Sequence, residues 1–96
     1  MLTLPIKKKW FDMILSGEKK EEYREIKQYY QSRFNKYIQS GTKIRFRNGY
    51  GNDSPSCICD VSISFGEGKP KWGASEGKMY YVLSLHEVSV ETRGKL

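Results

Sequence analysis

Histidine, cysteine and proline are scarce in this chain of 96 residues, at one, two and three copies. One histidine, His86, and two cysteines supply too few of the usual ligands for a structural zinc site, so neither a metal nor another cofactor is expected. Cys57 and Cys59 stand two apart in an alternating segment and share a strand face, where they act as small buried hydrophobes in a reducing cytosol. Long apolar runs are missing as well, which predicts no membrane span. The start, Met1-Leu2-Thr3-Leu4-Pro5, meets Lys7-Lys8-Lys9 with no apolar stretch behind it, unlike a signal peptide. A cytoplasmic protein is expected. Internal repeats, low-complexity tracts and linkers are also lacking, and the length predicts one domain over 1–96.

What is present is charge. Charged residues make up 29% and hydrophobic ones 38%, the mixture of a globular chain. Seventeen Lys and Arg against eleven Asp and Glu leave +6, an excess that attracts polyanions such as RNA or a phosphate-bearing small molecule. The alternative is a charge that merely solubilises.

Leu2, Leu4 and Ile6 alternate as a short strand that Pro5 confines to a sheet edge or strand end. Trp10, Phe11, Ile14 and Leu15 recur on one helical face, and Gly17 stops that helix near Ser16. Residues 20–26 read as a charged strand, with Glu22 and Arg24 on one side and Glu21, Tyr23 and Glu25 on the other. Tyr30, Phe34, Tyr37 and Ile38 predict a second helix over 29–39, with Ser32 as a candidate cap and Gly41 beyond its end. A strand around Ile44 and Phe46 follows, then a turn-rich loop at 48–55 and a long alternating strand from Cys57 to Phe65. After a glycine-rich loop at 66–77, residues 79–90 form a strand or a bent pair. This order predicts an α+β domain whose sheet curls toward a barrel.

Gly17-Glu18-Lys19-Lys20-Glu21-Glu22-Tyr23-Arg24 carries a G-x-K-x-x-E-x-R pattern directly after the amphipathic helix. With the Leu-Thr-Leu start, Trp10 on the helix, Arg47-Asn48-Gly49-Tyr50-Gly51 and Lys71-Trp72-Gly73, the chain resembles a small stand-alone ASCH domain of the PUA-like superfamily. The resemblance implies a PUA-like pseudo-barrel with two flanking helices. It also implies a cleft for RNA or a nucleotide-like ligand between the first helix, the motif strand and the barrel wall. A similar branch, bacterial amidohydrolases acting on acetylated cytidine, uses a lysine, a threonine and a glutamate. Carried over by position, the lysine falls on Lys19, but Glu22 takes the threonine's place, and a carboxylate cannot serve as the same hydroxyl nucleophile. Lys19 and Glu22 are then a catalytic pair only if they activate a water.

The expected ligand-binding residues are Lys7, Lys9, Lys19, Glu22, Arg24, Arg47, Asn48 and Trp72. Lysines at positions 7–9 sit at a helix start, where the dipole disfavours them by about 0.3–1 kcal/mol each. Together with free helix N–H groups they suit an anion, or else they extend into solvent. A carboxylate, a guanidinium and an amine at Glu22, Arg24 and Lys19 can read a phosphate and a base edge; the alternative is a solvated surface pair. Trp72 is a stacking plate for a base or a loop anchor, and Trp10 is core with an indole edge on the cleft. Tyr50, Tyr80 and Tyr81 are further candidates for its lining. Arg45 and Arg47 share a sheet face suited to backbone phosphates, and Asn48 contacts a base edge or serves the turn before Gly49. Three functions remain open: RNA or nucleotide binding, hydrolysis of an acylated nucleoside, and a protein interaction module, for which no partner is specified.

Overall fold

The alternation at the chain's start produces β1 (Leu2–Ile6) and the apolar helical face produces α1 (Lys8–Ser16) in the computed structural model, which describes residues 1–91. Gly17 ends α1 in the left-handed region at φ 84°, and its N–H donates to the Ile14 carbonyl. Phe11 and Ile14 are buried and Leu15 is left partly exposed. The motif segment forms β2 (Glu21–Glu25). The second helix, expected over 29–39, is α2 (Gln28–Phe34) followed by a 3-10 turn (Asn35–Tyr37). Lys27 occupies its N-cap, and its carbonyl accepts from the Tyr30 and Gln31 amides. Ser32 therefore lies inside the helix and does not cap it; its hydroxyl donates back to the Tyr29 carbonyl.

Three strands complete the sheet: β3 (Thr42–Asn48), β4 (Ser56–Glu67) and β5 (Met79–Glu91), the last being one continuous strand. Their order is β1-β3-β4-β5-β2, with β1 parallel to β3 and every other pairing antiparallel. The result is an α+β fold in which a mixed five-stranded sheet curls into a half-barrel beside two helices. Pro5 is accommodated because β1 is an edge strand and its outer side needs no N–H.

Leu4, Ile44, Phe46, Cys57, Cys59 and Leu83 fill the concave side, covered by Phe11 and Ile14 from α1 and Phe34 from α2. Cys57 and Cys59 are both fully buried free thiols, as their shared strand face requires. His86 lies exposed, its Nε2 2.7 Å from the Ser62 hydroxyl. The two edge strands, β1 and β2, are the borders of the open seam, and α1 begins where β1 ends. The motif is thus brought beside the start of the first helix.

Candidate functional site

Parity on β2 sends Glu22 and Arg24 to the same side, toward the seam. Arg24 Nε and Nη2 both donate to Glu22 Oε2, at 3.0 and 2.7 Å. Nη2 also donates to the Pro5 carbonyl of β1 at 2.9 Å, and Nη1 to the Tyr30 hydroxyl of α2 at 3.1 Å. Burial by itself would lower the Arg24 pKa, but the Glu22 carboxylate and Tyr30 more than offset it, and the guanidinium ends up above its ordinary value.

Lys19 completes the cluster from the turn after α1. Its Nζ stands 3.2 Å from Glu22 Oε1 and donates to the Trp72 carbonyl at 2.7 Å. The Trp10 and Tyr23 rings flank the ammonium, with centroids at 4.9 and 5.2 Å. Its side chain is 0% exposed and that of Glu22 9%. Burial is the largest influence on Lys19 and lowers its pKa against the opposing pull of Glu22. Two cations therefore share one buried carboxylate, and with Lys19 protonated the cluster carries one surplus positive charge.

Above the cluster opens a cleft of about 620 Å³, within the span of small-molecule sites. One wall comes from the end of β1 and the start of α1, with Lys7, Lys8 and Trp10; the opposite wall comes from Tyr30 and Lys27. Asn48, Gly49 and Tyr50 close one end. Tyr30 stacks on Phe34 at 5.3 Å, and Tyr50 is 87% exposed.

Of the residues expected from the sequence, Lys7, Glu22, Arg24 and Asn48 line this cleft. Lys19 is not part of the lining and contacts Glu22, which is. Lys9 is exposed, with its ammonium 4.6 Å from the Trp10 ring. Trp72 is buried at 7% exposure, so its ring offers no open stacking plate; it contributes its backbone carbonyl to Lys19. Arg45 and Arg47 do not form a free basic stripe. Arg45 donates to Glu91 at 2.6 and 3.0 Å and to Thr3, while Arg47 has a buried Nε with no hydrogen-bond partner and stands outside the cleft lining. Tyr80 is on the cleft, whereas Tyr81 is buried and donates to Asn35.

The sequence reading did not single out Tyr30 or Lys27. Tyr30 carries a helical-core pattern, and nothing in its spacing announces the bond to Arg24. The loop over the cluster is also pinned: the Tyr23 hydroxyl accepts from the Lys69 amide at 3.0 Å and donates to Glu21 at 2.7 Å. Burial, partly countered by the Lys69 amide, pushes the Tyr23 pKa up to about 12.

Among the described residues no group of three or more His, Cys, Asp or Glu side chains is placed to hold a metal, and no helix is long and apolar enough to cross a membrane. The chain matches no protein-family model, no curated protein and no solved structure.

Proposed function

We propose that this chain is a PUA-like barrel of the ASCH group that binds single-stranded RNA or a nucleotide-like small molecule in the cleft at the open seam. The observation that carries this reading is the buried Lys19–Glu22–Arg24 cluster at the cleft's base, with two cations for one carboxylate. A surplus positive charge held out of water favours an anionic occupant, because the low local dielectric strengthens its attraction. Lys7 adds positive charge at the opening, beside Lys8 and Lys27 whose charges are partly answered by Asp12 and Glu25, and Trp10, Tyr30 and Tyr50 offer aromatic surface for a base. The free, buried thiols of Cys57 and Cys59 accord with a cytoplasmic setting.

The test is binding of fluorescein-labelled single-stranded RNA, and of mononucleotides in competition, across a series of salt concentrations. The expected outcome is affinity that falls steeply with salt. No binding of RNA or nucleotide at low salt would overturn the proposal.

One observation favours a second reading. Lys19 is a buried lysine with a lowered pKa in contact with a carboxylate, a combination associated with acid–base chemistry. Release of cytidine from acetylated cytidine, abolished in Glu22→Gln, would establish hydrolysis in place of simple binding.

A further inference from the structure

The loop between β4 and β5 is held in place from the cleft. Tyr23 and Tyr80 both line the cleft, and their hydroxyls accept from the Lys69 and Ser75 amides at 3.0 and 2.9 Å. Lys19 adds its bond to the Trp72 carbonyl at 2.7 Å. Inside the loop a 3-10 turn (Pro70–Trp72) is closed by the Trp72 amide, which donates to the Lys69 carbonyl at 2.9 Å. Trp10, also on the cleft, stands so close to the loop that a Cβ at Gly73 would lie 3.1 Å from its indole Cζ2. A chain of contacts therefore runs from the cleft across Trp10 to the Trp72 turn.

That turn is basic. Lys69 and Lys71 are exposed, with ammoniums 5.3 and 4.8 Å from the Trp72 ring centroid, and the Lys9 ammonium stands 4.6 Å from that of Trp10. The indoles attract these cations and keep them close to the two rings. None of the three lysines makes an ion pair among the described residues, although Glu67 flanks the loop and Glu76 lies in it. Lys43 and Lys78, by contrast, are answered by Asp60 and Glu25. Because the Trp72 ring is buried, the turn presents ammoniums to a ligand and not aromatic surface.

We propose that Lys9, Lys69 and Lys71 form a phosphate track on the shoulder made by Trp10 and the Trp72 turn, and that the ligand is a single-stranded RNA whose backbone continues from the cleft onto it. The inference rests on the nucleotide-binding reading and deepens it, naming a polymer longer than the cleft in place of a mononucleotide. Cations on a backbone pinned beforehand suit phosphates of any sequence, since phosphate contacts position a strand without reading its bases. A nucleotide confined to the cleft has no use for Lys69 or Lys71, neither of which lines it. A duplex keeps its bases paired and stacked, so a single strand is the polymer that places a base in the cleft and its backbone on the track.

The test compares fluorescein-labelled oligouridine of about twelve nucleotides with a labelled uridine trinucleotide across a series of salt concentrations. The proteins are wild type, Lys9→Gln and the double variant Lys69→Gln/Lys71→Gln, all at exposed positions. At about 0.7 per neutralised phosphate, the slope of log affinity against log salt for the longer strand should fall by about 0.7 in Lys9→Gln and about 1.4 in the double variant. The trinucleotide should bind all three proteins equally. Lys36, exposed in the 3-10 turn after α2, is the control, and Lys36→Gln should change neither slope. A longer-strand slope unaltered in both variants, or altered as much by Lys36→Gln, would overturn the track; binding of the trinucleotide then shows that the cleft reading stands. Equal weakening of the trinucleotide and the longer strand would assign these lysines to the cleft itself and overturn the track as well. No binding of either strand at low salt would remove the nucleotide-binding reading and the track with it.

Discussion

Arg24 Nη2 lies 2.9 Å from the Pro5 carbonyl oxygen, so a side chain from β2 reaches the backbone of β1 across a seam that no strand pairing closes. The same guanidinium holds Glu22, and Glu22 holds Lys19. The motif thus ties together three parts of the fold: the two sheet edges and, through the Trp72 carbonyl, the loop between β4 and β5.

Within this cluster the three charges are not equivalent. Removing the carboxylate in Glu22→Ala leaves two buried cations facing each other, and should destabilise by about 3–5 kcal/mol. Lys19→Met instead removes the surplus cation and keeps the Glu22–Arg24 pair. The new side chain packs between Trp10 and Tyr23, and the loss is the Trp72 carbonyl's donor. About 2 kcal/mol or less is expected there. Urea denaturation of both variants checks the order; a Lys19→Met loss equal to that of Glu22→Ala would contradict it.

Much of this scaffold was legible in the sequence because it depends on period and parity. Gly17 marked the end of α1, alternation put Glu22 beside Arg24, and the same rule buried Cys57 with Cys59. The depth of Lys19 was not legible. A lysine after a turn ordinarily points to water, and its burial depends on Trp72, 53 positions away, lending a carbonyl. Trp72 itself read as a possible plate because loop composition carries no information about which side chain packs beneath. Ser32 misled for a related reason: a good capping residue can occur one turn too late, and here the Lys27 carbonyl starts the helix. The cleft walls come from β1, α1, β2, α2 and the segment after β3, and no local pattern encodes their convergence.

Glycine at position 68 has a steric purpose that a substitution exposes. A Cβ there would stand 2.6 Å from the Ala74 Cβ and 2.8 Å from two Tyr23 ring carbons. Ala74 lies in the pinned loop and the Tyr23 ring of β2 is held by its bonds to Glu21 and Lys69, so Gly68→Ala should cost about 1–3 kcal/mol through overpacking. At Gly66 the added methyl would meet Val82 at 3.6 Å, an ordinary contact. Gly66→Ala should therefore be neutral or stabilising by up to about 1 kcal/mol. Thermal denaturation of the two variants gives the comparison, and equal behaviour would refute the steric account.

Alkaline pH should act on the loop through Tyr23. Its pKa is raised from 10.0 to about 12, so above pH 10 the unfolded chain loses the phenolic proton while the folded chain retains it. The stability contributed by this group is complete below pH 10 and is lost as pH rises toward about 12. Tyr23→Phe removes that titration, together with the bonds to Glu21 and Lys69. Wild type should therefore exceed the variant in urea stability by a margin that shrinks over this window. A margin that stays constant from pH 10 to about 12 would show that Tyr23 does not titrate with folding.

Salt dependence separates the lysines around the cleft. For single-stranded nucleic acid, each neutralised phosphate contributes about 0.7 to the slope of log affinity against log salt. Lys7 has no ion-pair partner among the described residues, whereas Lys8 is held by Asp12 at 2.6 Å and Lys27 lies 3.4 Å from Glu25. Lys7→Ala should therefore reduce the slope by close to the full 0.7, and Lys8→Ala by less, because its charge is already partly answered. Lys43 pairs with Asp60 at 2.6 Å and stands outside the cleft lining, so Lys43→Ala should leave the slope unchanged. Binding of labelled single-stranded RNA at four or more salt concentrations measures all three. A slope that responds to Lys43 but not to Lys7 would move the RNA path away from the seam.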